Sequence, residues 1–258
     1  MDHGRLAVIT GASGGIGLEL ARCAARDGYQ VMLVSSEVTK LREAARKLRD
    51  AFEAQTEVVA ANLATVDGVE LVLQAIGDRP VDVLVNNAGF ATWGRFDELR
   101  TSRELDEVRL NVEAVVHLTR ALLPRMTKAG TGRILNVAST AAFMPGPLMS
   151  VYYATKSFVY SFSLGLAEEL NGTGVTVTVL CPGPTQTGFV SRAHMEDSKL
   201  FRRRLMTAVR VAAEGWHGMK SGKRVVIPGW RNWLEAHAVR FIPHRLLTWT
   251  VLRAQEKR

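Results

Sequence analysis

The sequence predicts a single α/β domain with a doubly wound parallel sheet of about seven strands and helices on both faces. Two observations lead to this prediction. Short apolar runs rich in β-branched residues alternate with longer segments of helical periodicity through the first two-thirds of the chain. These runs are nearly continuous, which is typical of strands buried on both faces of a parallel sheet. Only short connections separate the elements, which favours right-handed crossovers.

Seven segments are predicted as strands, at residues 5–11, 30–36, 56–63, 81–89, 132–139, 174–183 and 223–229. Helices are predicted at residues 16–27, 39–54, 66–76, 102–126 and 152–170. No linker or repeat divides the chain, so we expect residues 1–258 to form one domain. Residues 188–221 are predicted as a substrate-binding insertion, and residues 230–258 as a basic, tryptophan-rich helical extension.

The composition narrows the class of protein. Hydrophobic residues make up 47% of the chain, but no apolar run approaches the 18 residues expected of a spanning helix. The first residues lack the pattern of a secretory signal. Two distant cysteines, Cys23 and Cys181, are too few for a disulfide framework or a metal site. We therefore expect a cytoplasmic protein without a bound metal.

The positive charge is confined to the end of the chain. Residues 192–258 hold 15 of the 33 Lys and Arg residues but only five of the 25 Asp and Glu residues. The rest of the chain has a slight negative net charge. A high overall pI is therefore weak evidence for a nucleic-acid partner, and no recognisable nucleic-acid-binding module accompanies it.

A glycine-rich stretch, "TGASGGIG" at residues 10–17, links the first predicted strand to the first helix. Gly11, Gly15 and Gly17 allow a tight turn, a close approach of the backbone to a pyrophosphate, and close packing of helix on strand. The helix N-terminus then offers unpaired N–H groups to phosphates. Glycines also serve ordinary turns, so the position of this loop is what favours dinucleotide binding.

Further motifs follow this loop in a fixed order: "NNAG" at residues 86–89, then Asn111, Ser139, Tyr152 with Lys156, and "PGPTQT" at residues 182–187. Together they resemble the short-chain dehydrogenase/reductase family, which implies a Rossmann-type fold and an oxidoreductase. Residues 87–189 are most similar to the branch with uncharacterised bacterial reductases, hydroxysteroid dehydrogenases and long-chain ketoacyl reductases. The resemblance also implies a homodimer or homotetramer.

The candidate catalytic residues are Asn111, Ser139, Tyr152 and Lys156. Tyr152 and Lys156 are four residues apart on a predicted helix, so both side chains lie on one face. A nearby cation favours the phenolate and is expected to lower the pKa of Tyr152, which suits a general acid or base. Tyr153, rotated by about 100°, is predicted to pack or to line the site. The resemblance implies that Ser139 polarises the substrate oxygen and that Asn111 anchors a water that relays protons to Lys156.

The cofactor is expected to be NADP(H) in preference to NAD(H). The second strand ends in Ser35 and Ser36, so the carboxylate that would bind an NAD ribose is missing. Lys40 would favour a 2′-phosphate and Glu37 would oppose it. The candidate cofactor-binding residues are Gly11, Ser13, Gly15, Ile16, Gly17, Ser35, Ser36, Asn62, Leu63, Asn87, Ala88, Gly89, Tyr152, Lys156, Pro182, Gly183, Thr185 and Thr187.

The substrate is expected to be a small apolar carbonyl or alcohol, because the segments at residues 90–96 and 140–149 are rich in Phe, Trp, Met, Leu and Pro. These segments could instead face a lid or a second subunit. Residues 230–241 place Trp230, Trp233, Leu234, Ala238 and Phe241 at helical spacing. This stripe could cover the sheet, complete a subunit interface, lie on an anionic membrane as a peripheral contact, or meet an acidic partner.

Rival functions are a catalytically silent cofactor-binding regulator and a nucleic-acid binder. A silent regulator would be expected to lack the tyrosine or the lysine, and this chain keeps both. An epimerase or dehydratase that oxidises its substrate transiently is a further alternative. The sequence therefore favours an oxidoreductase that moves a hydride between a nicotinamide cofactor and a carbonyl or alcohol carbon.

Overall fold

The computed structural model describes residues 4–188 and 205–256. The strands are β1 (Leu6–Thr10), β2 (Gln30–Ser35), β3 (Thr56–Ala60), β4 (Val83–Asn86), β5 (Gly132–Val137), β6 (Val175–Leu180), β7 (Thr185–Gln186), β8 (Met206–Thr207) and β9 (Val225–Val226). Seven of them form one parallel sheet in the order β3-β2-β1-β4-β5-β6-β9. The prediction of a doubly wound parallel sheet is confirmed. Its strand order reverses between β1 and β4, which opens a crevice at their carboxyl ends.

The helices are α1 (Gly15–Arg26), α2 (Val38–Phe52), α3 (Val66–Ile76), α4 (Thr101–Val108), α5 (Ala114–Ala129), α6 (Ser150–Glu169), α7 (Ala208–Lys220), α8 (Trp230–Ala238) and α9 (His244–Gln255). Alternate residues of each strand supply two cores, as the two-residue period of a strand requires. On β1, Ala7 and Ile9 pack with α1, α2 and α7, whereas Leu6 and Val8 pack with α3, α5 and α6. Both faces of the sheet are thereby covered.

The predicted insertion at residues 188–221 is in part a core element. Residues 189–204 lie outside the described residues, but α7 packs against α1 and fills one core with Val211, Trp216 and Met219. The indole Nε1 of Trp216 donates a 2.9 Å hydrogen bond to Asp27. The polar composition of residues 188–221 as a whole obscured this amphipathic helix in the sequence. Its buried residues recur every three to four positions.

The long helix predicted at residues 102–126 is interrupted. A π-helical turn, Arg109–Glu113, separates α4 from α5 and contains Asn111. Such turns insert one extra residue and are frequent at functional sites. Both α4 and the π turn contact α6.

The C-terminal stripe faces solvent. Trp230 is 70% exposed and Phe241 is 88% exposed, so α8 does not cover the sheet with this face. A second C-terminal helix, α9, buries Leu247, Val251 and Gln255 at four-residue spacing. In the described part of the chain, no helix combines the length and apolarity needed to cross a membrane.

Candidate active site

A cavity of about 950 Å³ opens at the carboxyl ends of β1, β2, β4, β5 and β6. It brings together three of the four candidate catalytic residues, namely Ser139, Tyr152 and Lys156. Among the candidate cofactor-binding residues, all but Gly17 line it: Gly11, Ser13, Gly15, Ile16, Ser35, Ser36, Asn62, Leu63, Asn87, Ala88, Gly89, Tyr152, Lys156, Pro182, Gly183, Thr185 and Thr187. Gly17 and Asn111 do not line the cavity themselves. Gly17 packs against Gly11 and Asn111 hydrogen bonds to Phe90, and both of these partners line it.

The glycine loop fits a dinucleotide. Gly11 has φ +67° and Gly15 has φ +57°, values that side chains rarely permit. Gly14 precedes α1 without a side-chain cap, and a Cβ there would meet nothing within 4 Å. The first N–H groups of α1 are thus left for a phosphate at the helix N-terminus. Gly17 serves packing, because its Cβ would lie 2.3 Å from the Gly11 carbonyl oxygen.

Thr10 was not among the predicted site residues, yet it holds the crevice together. Its Oγ1 accepts hydrogen bonds from the backbone N–H groups of Asn87 and Ala88, both at 2.9 Å, and donates to the Val85 carbonyl. The Asn87 amide in turn donates to the Thr10 carbonyl at 2.9 Å. These bonds lock the end of β1 to the end of β4, where the strand order reverses. A threonine that ends the first strand directly before the glycine loop was the available signal.

The adenosine end of the cavity carries hydroxyls and amides. The Ser35 hydroxyl donates to Ser13 at 3.0 Å and accepts from the Glu37 N–H at 3.2 Å. Lys40 forms an ion pair with Glu37. The positive charge expected to favour a 2′-phosphate and the negative charge expected to oppose it therefore lie together. The Asn62 Oδ1 accepts from the Ala64 N–H at 3.1 Å and, with two lone pairs, can accept a second hydrogen bond.

Ser139 and Tyr152 meet at the end of β5. Ser139 lies two residues beyond the strand and caps the 3₁₀ turn Thr140–Phe143, accepting from the Ala141 N–H at 3.1 Å. The Tyr152 phenol, in the first turn of α6, hydrogen bonds to the Ser139 hydroxyl. Both oxygens are therefore placed to contact one substrate oxygen.

Lys156 lies one turn further along α6 and is only 5% exposed. Its Nζ donates to the Val137 carbonyl at 2.9 Å and lies 5.7 Å from the centre of the Tyr152 ring. Burial lowers the pKa of Lys156 to about 8, against the charge of Glu107, which raises it. The lysine can therefore exchange its proton near neutral pH.

The expectation that the pKa of Tyr152 is lowered is wrong for the protein chain without a cofactor. Burial raises the pKa of this phenol, and the hydrogen bond from Ser139 only partly opposes the effect. Desolvation is the largest cause, because a buried phenolate loses its hydration. The phenol is thus held protonated, the form that a general acid needs for carbonyl reduction.

Asn111 is fully buried and its side chain fastens the loop after β4. The amide donates to the Phe90 carbonyl at 3.0 Å and to Thr155 Oγ1 at 3.1 Å, while its oxygen accepts from the Phe90 N–H at 3.2 Å. A Cβ on Gly89 would lie 2.9 Å from the Asn111 Oδ1 and 3.5 Å from the Lys156 Nζ. Asn111 therefore links the π turn, this loop and α6, close to Lys156.

Tyr153 has a separate partner. Its hydroxyl accepts a 2.7 Å hydrogen bond from Gln255 Nε2 on α9, and Trp93 Nε1 donates to the Gln255 carbonyl at 3.2 Å. Tyr153 packs with Leu247 and Val251 of the same helix and also lines the cavity. The prediction that Tyr153 packs or lines the site is confirmed, and its packing partner is the C-terminal helix.

The substrate side of the cavity has one apolar wall. From the two predicted segments it receives Phe90, Thr140, Ala141, Met144 and Met149. Trp93 packs against α9 instead, and Phe96 is 68% exposed. The sequence did not identify the contributions of α4 and α8, which are Arg103, Arg231, Asn232 and Glu235.

Comparison with known proteins agrees with this geometry. Residues 5–197 match the family model described as short chain dehydrogenase. A protein of Streptomyces coelicolor, provisionally named a ketoacyl reductase, is 36% identical over 198 residues, 74% of this chain and 76% of its own length. Human very-long-chain 3-oxoacyl-CoA reductase is 32% identical over 184 residues, which cover 69% of this chain but only 59% of the human protein.

A solved structure shares both fold and sequence. The short-chain dehydrogenase from Sphingobium yanoikuyae in complex with NADPH superposes with a TM-score of 0.84 at 31% identity, covering 92% of each chain. The family resemblance inferred from the motifs is confirmed. The chain belongs to the short-chain dehydrogenase family and is an oxidoreductase acting on CH–OH or C=O groups with NAD(P).

Proposed function

We propose that the protein reduces the carbonyl group of a small apolar substrate with NADPH. The observation that carries the proposal is that Ser139, Tyr152 and Lys156 line the same cavity as an apolar wall containing Phe90, Met144 and Met149. A sugar would leave its hydroxyls without partners against this wall, whereas a ketone, aldehyde or ketoacyl chain would not. The presence of the complete catalytic set disfavours a silent regulator.

A nicotinamide cofactor, which residues such as Gly15, Ile16 and Asn87 would hold, would supply the hydride for the carbonyl carbon. Tyr152 gives its phenolic proton to the carbonyl oxygen, so that the C=O bond becomes CH–OH. Ser139 donates a hydrogen bond to the same oxygen, which stabilises the negative charge that develops there. The Lys156 ammonium, held by the Val137 carbonyl, stabilises the resulting phenolate. Asn111 keeps the adjoining loop in place and, by the family resemblance, anchors a water that carries protons to Lys156.

The preference for NADPH rests on the end of β2. Ser35 and Ser36 line the cavity at the end of β2, and the carboxylate of Glu37, which also lines it, forms an ion pair with Lys40. A 2′-phosphate therefore meets little repulsion and several hydroxyl donors. The related Sphingobium yanoikuyae dehydrogenase was solved with NADPH, which supports the same preference.

We also propose peripheral contact with an anionic membrane surface. The exposed C-terminal group consists of Trp230, Trp233, Leu234, Phe241, Leu246 and Trp249. Arg231 stacks on Trp230 and Arg253 on Trp249, so cations accompany the exposed rings. Tryptophan beside arginine suits the interface of a bilayer with anionic headgroups.

The oligomeric state is proposed from the family resemblance, and the cellular compartment from the two cysteines. We propose a homodimer or homotetramer, supported by the exposed Phe158, which stacks on Phe162 at the surface of α6. The two cysteines, Cys23 and Cys181, are free thiols, which supports a cytoplasmic protein.

Substituting the two adjacent tyrosines one at a time distinguishes a catalytic role from a packing role. Tyr152→Phe removes the proton donor and is expected to lower kcat by about 100-fold or more, with NADPH binding retained. Tyr153→Phe is expected to keep most of the turnover but to lower the free energy of unfolding by about 1–3 kcal/mol, since buried Gln255 loses its partner. Turnover from NADPH absorbance and urea unfolding measure both effects, and equal losses of kcat would contradict the assignment.

The substrate class is tested by NADPH consumption across a panel of ketones, aldehydes, 3-ketoacyl thioesters and ketoses. We expect turnover of the apolar carbonyls and little turnover of ketoses. Met144→Ser, on the cavity wall, is expected to lower kcat/KM for the best apolar substrate by roughly tenfold. Phe96→Ser is the matched control because Phe96 lies in a predicted lining segment but is exposed. A preference for ketoses would refute the substrate class.

The cofactor preference is measured by fluorescence titration of NADPH and NADH. We expect the Kd for NADPH to be the lower of the two. Ser35→Asp places a carboxylate at the end of β2 and is expected to weaken NADPH binding at least about tenfold while sparing NADH. A lower Kd for NADH in the unchanged protein would overturn the proposal.

Membrane contact is measured by co-sedimentation with vesicles of phosphatidylcholine alone or with phosphatidylserine. We expect binding to the anionic vesicles and a several-fold loss in the double variant Trp230→Ser/Trp249→Ser. Phe96→Ser is the control, because Phe96 is an exposed aromatic residue outside α8 and α9. Equal binding of both variants, or a change of oligomeric mass in the double variant without vesicle binding, would contradict the proposal.

A further inference from the structure

A second cavity adjoins the substrate cavity. It has a volume of about 560 Å³ and is lined by the loop at residues 142–147 and by one face of α6. Tyr153 and Met144 line both cavities, whereas Tyr152 lines the substrate cavity alone and Gly146 lines the second one alone. Tyr153 and Met144 therefore belong to the wall between the two cavities.

The ring of Tyr153 contacts a residue of each cavity. It lies so close to Gly146 that a Cβ at that position would be 2.1 to 2.4 Å from three ring atoms. It also meets the Tyr152 ring edge-on, with 6.1 Å between the ring centres. A glycine is required for the first contact, so the loop is shaped around the ring of Tyr153. This ring thus separates the catalytic tyrosine from the second cavity.

A hydrogen bond from α9 holds the Tyr153 ring in place. The hydroxyl accepts from Gln255 Nε2 at 2.7 Å, and Gln255 is 0% exposed. The Gln255 Oε1 is buried and has no hydrogen-bond partner among the described residues. A leucine would avoid the cost of burying an amide that is only half paired. The amide therefore serves the Tyr153 hydroxyl rather than the general packing of α9.

The second cavity also suits an apolar chain. Its lining includes Phe143 and Pro145, and the hydroxyl of Ser157, its polar group on α6, donates to a backbone carbonyl at 2.9 Å. On the substrate side, Met149 packs with Tyr153 in one apolar cluster. An apolar chain would therefore keep favourable contacts on either side of the ring.

We propose that Tyr153 closes the substrate cavity at this wall and limits the length of the apolar chain that the enzyme accepts, with Gln255 as the positioning residue that holds the ring. The inference rests on the proposed function and narrows its substrate class to apolar carbonyl compounds whose chain ends at Tyr153. Each added methylene buries more apolar surface until the chain reaches the ring, where a further methylene has no space.

The proposal is tested by the NADPH-dependent reduction of straight-chain methyl ketones of increasing length. For the unaltered protein, kcat/KM is expected to rise with chain length and then to fall. Tyr153→Ala removes the ring and joins the two cavities, so the fall is expected at longer ketones. For the first ketone beyond the limit of the unaltered protein, we expect kcat/KM to increase by roughly tenfold or more. An unchanged limit in this variant, or no limit in the unaltered protein, would overturn the proposal.

Tyr160→Ala is the matched control. Tyr160 is another tyrosine of α6, packs edge-on against Phe143 and lines neither cavity. Its removal also weakens packing on α6 but leaves the wall of Tyr153 in place, so we expect the length limit of the unaltered protein. A shift as large as that of Tyr153→Ala would trace the limit to general loosening of α6 and contradict the proposal.

Gln255→Leu tests the positioning role with the ring present, and it decides the matter if Tyr153→Ala does not fold. The released ring is expected to admit longer ketones through a lower KM rather than a higher kcat, with a smaller shift than in Tyr153→Ala. Tyr153→Phe breaks the same hydrogen bond, so the double variant Tyr153→Phe/Gln255→Leu is expected to show the limit of either single variant. Additive shifts, or no shift in both single variants, would overturn the role of Gln255.

Failure of this inference is distinguishable from failure of the proposed function. If the unaltered protein reduces no ketone of the series and no other carbonyl compound with NADPH, the proposed function is refuted and the inference with it. If it reduces ketones but the length limit does not depend on Tyr153 or Gln255, the proposed function stands and the inference is wrong.

Discussion

The burial of one ammonium group is the constraint on which the rest of the active site depends. Lys156 is 5% exposed, and moving a cation into such a place is unfavourable unless its surroundings replace water. The Val137 carbonyl at the end of β5 supplies one hydrogen bond, and the charge of Glu107 raises the pKa of the amine against the effect of burial. Gly89 leaves room beside the amine for Asn111, because a Cβ there would lie 2.9 Å from the Asn111 Oδ1.

One strand end and one helix start then set the catalytic geometry. Val137 and Ser139 are two residues apart, so they share an orientation as the chain leaves the sheet. Tyr152 and Lys156 are four residues apart on α6 and share a face. The strand end holds the lysine through Val137 and the phenol through Ser139. Any shift of α6 relative to β5 would disturb both contacts together, which makes their packing the determinant of activity.

Local patterns predicted the strands, the glycine loop and the shared face of Tyr152 and Lys156, because spacing along a strand or helix fixes which side chains share a face. The role of Asn111 came from the family resemblance instead. Local patterns did not predict the properties that depend on burial or on contacts between residues distant in the sequence. The raised pKa of Tyr152 follows from desolvation, and the Tyr153–Gln255 hydrogen bond joins residues 102 positions apart. The core helix α7 was hidden by charged neighbours on its exposed face. Glu107 resembled any helical carboxylate until its burial was known.

The C-terminal segment shows how one stretch of chain can serve two environments. Leu247, Val251 and Gln255 of α9 pack on Tyr153 beside the cavity, whereas Trp249 on the same helix is 55% exposed. On α8, Asn232 lines the cavity while Trp230 faces solvent. Thus α8 and α9 carry exposed aromatic side chains together with residues that line the cavity or pack against Tyr153 in its lining. Docking through those side chains would bring α8, whose Arg231 and Asn232 line the cavity, to the bilayer surface, where an apolar carbonyl compound partitions. The membrane contact and the apolar substrate class are therefore mutually supporting, since each gives a physical reason for the other.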